Sequence, residues 1–195
     1  MAALGAAAAG APPLFTVGHS THPADEFLAL LRAHGVERLV DVRRFPGSRR
    51  HPQFAREALA ESLRAAGIAY RHDARLGGRR HALPGSPNTA WRNEQFRGYA
   101  DHMATAEFQA ALQALLDEAA ARRTTVMCAE AVPWRCHRQL LADAALLAGR
   151  PVLHILSAAD ARPHELNPSA RVDALGRLTY PAEAQLGLPG LGTEG

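Results

Sequence analysis

Both cysteines of this 195-residue chain fall in one short stretch, CAEAVPWRCHR, at residues 128 to 138. A cysteine at the end of a strand, ahead of a helix, is placed as a nucleophile would be. The helix dipole and a nearby Arg135 or Arg138 can lower its pKa and raise the thiolate fraction. Free cysteine is also among the most buried residue types, so Cys128 reads equally as a catalytic residue and as an inert core one. Glu130, two positions on, shares its side of an extended chain. A carboxylate there suits a base, a partner that orients an Arg, or a plain salt bridge to Arg135 or Arg138. Cys128, Cys136 and His137 make a zinc or iron set the metal alternative, with His19 or His154 as a fourth ligand. They lack the short knuckle spacing of structural zinc sites, so no metal or other cofactor is expected.

The elements that must position these residues follow from hydrophobic periodicity. Short β-rich apolar runs at 14–20, 38–43, 69–73, 124–130 and 152–156 alternate with helix-period runs, the pattern of a parallel sheet covered by helices. The expected fold is a single α/β domain over 14–181, an open, mainly parallel five-stranded sheet with helices on both faces in a Rossmann-like three-layer arrangement. Helices are expected from Pro23 to Gly35, over about 54–66, around Phe108, Leu112, Leu115 and Leu116, and from Pro133 to Gly149, with Cys136, His137 and Arg138 in the first turns of the last. A small C-terminal hairpin turns near Leu175 and Gly176. Residues 1–13 and 182–195 read as a disordered leader and tail. Residues 74–93 exceed the usual loop length and are expected to form a mobile flap over the site.

In an open parallel sheet, ligands bind beyond the carboxyl ends of the strands. The strand exits deliver Gly18, His19, Ser20 and Thr21; Asp41, Arg43 and Arg44; His72, Asp73 and Arg75; Cys128 and Glu130; and His154. Ser20 or Thr21 serves equally well as a helix cap. Asp41 lies between Val40 and Val42 in a strand buried on both faces, where an unpaired carboxylate is costly; a site role and structural pairing with an Arg both satisfy it. His19, His137 and Glu130 are the candidates for handling protons.

All 22 basic residues are arginine, and ten lie between Arg43 and Arg80 against three acids. Guanidinium groups suit phosphate or carboxylate partners, though each equally serves solubility. Arg49, Arg50 and His51 sit in the turn-forming loop FPGSRRHPQF, and Arg43, Arg44, Arg49 and Arg138 are the expected anion contacts. Trp91, Phe96 and Tyr99 either stack on a base or simply pack. The partners expected are a phosphate-bearing small molecule or nucleic acid. No stretch approaches the roughly 20 apolar residues of a membrane span, and the Ala-rich start lacks a secretory pattern. A cytoplasmic setting is expected, in which the cysteines stay reduced.

The motifs TVGHST, DVRRFPGS, LGG, FRGYADHM, CAEAVPWRCHR, VLHI and LTYP, in this order from about residue 14 to 181, resemble the "domain of unknown function 488" family. The resemblance implies a set of positions and no reaction: Gly18, His19, Ser20, Asp41, Arg43, Pro46, Ser48, Leu76, Gly77, Gly78, Tyr99, Met103, Cys128, Glu130, Pro133, Cys136, His137, Arg138 and His154. These largely coincide with the strand exits. The leading expectation is an enzyme acting on a phosphate-bearing or nucleic-acid substrate, with Cys128 or a bound water as nucleophile and Asp41 orienting an Arg or His. A non-catalytic nucleic-acid module and a metal protein are the alternatives.

Overall fold

The computed structural model describes residues 12–47 and 50–182. The remaining parts of the expected leader and tail, and the candidates Ser48 and Arg49, lie outside the described residues. Five of the strands fall where apolar runs predict them: β1 (Leu14–Gly18), β2 (Arg38–Asp41), β3 (Ala69–His72), β4 (Thr124–Cys128) and β5 (Val152–Ser157). All five pair in parallel, and a sixth strand, β6 (Asp160–Pro163), adds antiparallel to β5, giving the order β3-β2-β4-β1-β5-β6. The sheet is therefore six-stranded and mixed, one strand wider than expected. The segment DARP carries neither alternation nor β-branched residues, so its strand character comes from a short turn back onto β5 and not from local propensity. Its proline ends an edge strand, where a missing donor is tolerated.

Helices cover both faces. On one, α1 (Ala24–Ala33) and α2 (Arg56–Ala65) bury Phe27, Leu30, Leu31, Leu59 and Leu63 against Phe15, Val17, Leu39 and Met127. On the other, α3 (Glu94–Met103), α4 (Ala106–Ala121) and α5 (Arg138–Leu147) bury Tyr99, Met103, Phe108, Leu112, Leu115, Leu140 and Leu141 against Val40, Val126 and Val152. The period-two alternation of β4 explains the division: Val126 and Cys128 point to one core, Met127 to the other. The expected hairpin forms as β7 (Arg171–Val172) with β8 (Leu178–Thr179), and Gly176 in its turn takes a positive φ of 76°.

The connection after β1 runs over the α1 face to β2. The connection after its neighbour β4 runs over the α5 face to β5. Adjacent strands whose connections leave in opposite directions open a crevice at their carboxyl ends, the switch point where such sheets bind ligands.

Two local expectations are corrected. The last helix does not begin at Pro133: residues Pro133–Arg135 form a 3-10 turn, Cys136 is extended, and His137 is the N-cap of α5. The loop at 74–93 is a tethered wall and not a free flap. The buried Asp101 of α3 accepts from Leu83 N, Ser86 Oγ and Asn88 Nδ2, and Asn88 Oδ1 accepts from Tyr180 N. One carboxylate inside a helix thus anchors an otherwise irregular segment through one backbone and two side-chain donors.

Candidate functional site

The exits of β1 and β4 lie against each other. The β1 ladder continues past its end through His19 N to Cys128 O and Ser20 N to Ala129 O, each 2.9 Å. Glycine is required at position 18, because a Cβ there would lie 1.9 Å from Glu130 O. That contact presses the loop after β4 over the end of β1 and fixes where Cys128 and Glu130 emerge.

Beyond these ends lies a pocket of about 170 Å³. Its wall carries Arg43, Arg44, Arg79 and Arg135 with Glu130 as the lone acid among the described residues, and its lining includes Cys128, Cys136 and His137. Phe45 and Phe96 complete its apolar side. Four arginines against one glutamate in the lining leave an excess of positive charge, which favours an anion of modest size.

The inner wall is built on Asp41. This fully buried carboxylate accepts from Arg43 Nε (2.9 Å), Arg43 Nη2 (2.6 Å), the Arg43 backbone N (3.0 Å) and the Tyr70 hydroxyl (3.0 Å). Asp41 therefore orients Arg43 and does not itself line the pocket. The third nitrogen of Arg43, Nη1, approaches His19 Nε2 at 3.3 Å. His19 Nδ1 donates to Ser20 O at 2.9 Å, and its ring stacks on Phe54 at 4.2 Å. Burial, reinforced by Arg43 and offset in part by the bond to Ser20, lowers its pKa to about 4. A neutral ring with its proton on Nδ1 accounts for both contacts. His19 thus buttresses Arg43 from behind.

The floor is a sulfur and imidazole cluster. His137 Nδ1 lies 3.9 Å from Cys128 Sγ and 3.7 Å from Cys136 Sγ. Cys128 and Cys136 are 8% and 3% exposed, so both are packed yet reach the pocket lining. The hydrogen bond to Cys136, burial and the negative charge of that neighbour push the Cys128 thiol up. Burial acts against Cys136 too, but the bond from Cys128 and the charges of His137 and Arg138 draw its thiol well below the ordinary range. The two thiols are thus pushed in opposite directions, Cys128 up and Cys136 down. Gly78 lets His137 approach: a Cβ on it would sit 2.7 Å from His137 Nδ1. His137 Nε2 is buried without a hydrogen-bond partner.

Several candidates lie elsewhere. Arg138 is fully buried and donates to Glu130 O (2.5 Å), Ala131 O (3.3 Å) and Thr16 Oγ1 (3.4 Å), so it ties down the loop after β4 and lies outside the pocket lining. Tyr99 is fully buried beneath the floor, with its hydroxyl donated to Leu76 O and its ring 4.9 Å from His137, so it cannot stack on a base. Gly77 packs on the Arg44 backbone, and Ser20, half-buried with a φ of 48°, lies outside the lining. His154 lies within β5 and not at its exit. It belongs to a separate buried network through Thr16 Oγ1 (2.7 Å), His164 Nδ1 (3.0 Å), Asp143 and the Tyr180 hydroxyl. Burial, with His164 and Arg138 adding to it, lowers His154 to about 3.

Sequence reasoning missed Phe45, Arg79 and Gln95 as lining residues. Phe45, 64% exposed between Arg44 and Pro46, carried a usable signal: an aromatic left in solvent at a strand exit. Asp143 carried another, as a carboxylate within the apolar run of α5 that must find partners.

The fold and pocket define a three-layer α/β protein with a basic, thiol-floored site at its switch point. The chain belongs to the family described as domain of unknown function DUF488, whose model matches residues 23–145. No curated protein matches it, and no solved structure does. Among the described residues, no helix is long and apolar enough to cross a membrane.

Proposed function

We propose that the protein is an enzyme acting on a phosphate-bearing substrate, held by the arginine wall above the Cys128, Cys136 and His137 floor. The observation that carries this reading is the presence of four arginines and this cluster in the lining of one small pocket. Arg43 is fixed by Asp41 and offers a preset edge, while Arg44, Arg79 and Arg135 complete the charge. Cys136 is the sulfur drawn toward the thiolate form, and His137, in contact with both sulfurs, is the group placed to move a proton. Glu130, on the exposed side of the pocket, is a second proton acceptor for a bound substrate.

Calorimetric titration with inorganic phosphate and with nucleoside monophosphates tests it. Binding that weakens about tenfold or more in Arg44→Ala and Arg135→Ala is expected, with turnover of a phosphate ester lost in Cys136→Ser. Absence of phosphate and nucleotide binding would end the proposal.

A second reading, a nucleic-acid-binding module without catalysis, is favoured by two exposed aromatics: Phe45 in the pocket lining and Trp134, 59% exposed, beside Arg135. It predicts affinity for single strands that falls steeply with salt, weakens in Phe45→Ala and Trp134→Ala, and is indifferent to Cys128→Ser. Salt-independent binding would rule it out.

A further inference from the structure

We propose that Cys128, Cys136 and His137 form a three-ligand site for a divalent metal ion of the zinc class, with the fourth coordination position facing the arginine-lined pocket. The ligand atoms of the three residues all lie within 4.8 Å of one another. Zinc in tetrahedral coordination, with bonds of about 2.3 Å to sulfur and about 2.0 Å to nitrogen, sets a sulfur and a nitrogen about 3.6 Å apart. The distances here, 3.9 and 3.7 Å, differ from that edge by a few tenths of an ångström. Two thiolates with one imidazole select a soft or borderline ion over magnesium or calcium.

The sequence spacing argued against this set because it lacks a knuckle. The fold supplies the convergence by another route: Cys128 ends a central strand, Cys136 sits in an extended link, and His137 caps a helix. Each of the three positions is held by its own element. Gly78 adds a cradle, since any side chain there would strike His137 Nδ1, the atom that faces both sulfurs. All three residues line the pocket, so an ion among them is open on the side from which a phosphate or carboxylate oxygen would enter. Three protein ligands and one exchangeable position is the arrangement of catalytic zinc sites, while structural ones close all four.

The proposal does not depend on the phosphate reading, because a metal-bound cluster and an anion-binding arginine wall are separable properties. Metal-bound sulfurs are ligands and not nucleophiles, so a loaded site would move the reactive atom from Cys136 to whatever fills the fourth position.

The test is titration of tag-free, chelator-stripped protein with cobalt(II). The expected result is saturation at one equivalent, with thiolate-to-cobalt charge-transfer absorption and the intense visible bands of tetrahedral cobalt, both displaced by zinc. In the parent protein, both cysteines should become at least tenfold slower to alkylate with iodoacetamide once metal is bound. Cys136→Ser and His137→Ala should each weaken cobalt binding tenfold or more, while Arg44→Ala leaves the spectrum unchanged. A weak octahedral spectrum with no charge-transfer band, or alkylation at the same rate with and without metal, overturns the proposal. The alkylation comparison uses only the parent protein, so misfolding of a variant cannot mask that result. Phosphate binding measured in parallel on the metal-free protein tells failure of the metal site from failure of the anion pocket.

Discussion

Asp41→Ala removes the residue on which the inner wall of the pocket is built. Asp41 is wholly buried, and Arg43, its partner in a 2.6 Å ion pair, is only 6% exposed. Without the carboxylate, the guanidinium keeps, among the described residues, a single side-chain hydrogen-bond partner, His19 at 3.3 Å, and the Tyr70 hydroxyl loses its acceptor. Breaking a buried pair from one side costs about 3–5 kcal/mol, whereas replacing both partners with apolar groups is often neutral. With a urea slope of about 2 kcal/mol/M for a domain of this size, Asp41→Ala should lower the unfolding midpoint by roughly 2 M. Asp41→Ala with Arg43→Met should recover most of that loss while abolishing anion binding. Equilibrium urea unfolding followed by circular dichroism measures all three proteins. A single variant within about 0.3 M of the parent at an unchanged slope would refute the reasoning. So would a double variant no more stable than the single one, since then the cost would not come from a stranded charge.

Acid should destabilise the fold well before the carboxylates titrate. His19 and His154 have folded-state pKa values lowered to about 4 and about 3 from 6.5, so the unfolded chain binds more protons below pH 6.5. Their contribution is fully present above that pH and is lost progressively as pH falls, toward about 4 for His19 and about 3 for His154. Urea midpoints measured from pH 7.5 to 4.5 should decline, and His19→Phe, which keeps the stack on Phe54, should flatten the decline. Iodoacetamide labelling read by peptide mass spectrometry should mark Cys136 before Cys128 below pH 8, because its surroundings draw the Cys136 thiol down and push the Cys128 thiol up; the reverse order would contradict those directions. Gly18→Ala forces a Cβ into the Glu130 carbonyl and should cost about 3 kcal/mol or more. Gly78→Ala meets a side chain instead, so it should cost about 1–2 kcal/mol while altering thiol reactivity; thermal melts paired with alkylation rates separate the two effects.

The five parallel strands were legible because each is a short apolar run bounded by turns, and the pocket's position followed from the rule that ligands meet strand exits. Strand β6 was not legible, since DARP pairs through its backbone alone. Within the site, Asp41 announced its need for a partner by lying between two buried valines, and Arg43 answers it. The sulfur cluster was harder to see: residues eight and nine positions apart converge only because a 3-10 turn and an extended link replace the helix start that Pro133 suggested. Arg138 and His154 fall outside the pocket lining for a related reason. Their residue types and positions fit a ligand contact, but whether such a group faces a crevice or a buried partner depends on loop and strand geometry, which residue type does not encode.

The two sides of the pocket differ in how much freedom a ligand must remove from them. Arg43 has three of its donors engaged by Asp41 and His19 before anything binds. Holding it still adds almost nothing to the cost of association, whereas each rotamer-rich side chain that is ordered on binding costs about 0.5–1.5 kcal/mol. Arg44, held at its tip by the Arg79 carbonyl, and Arg135, on the exposed 3-10 turn, stand on the side that must still be ordered. A ligand small enough to reach only the fixed wall would bind with little entropic loss, and a larger one would gain charge from the rim while spending freedom there. The pocket is thus graded from a rigid recognition edge to an adaptable margin, and calorimetric entropies across anions of increasing size should trace that gradient.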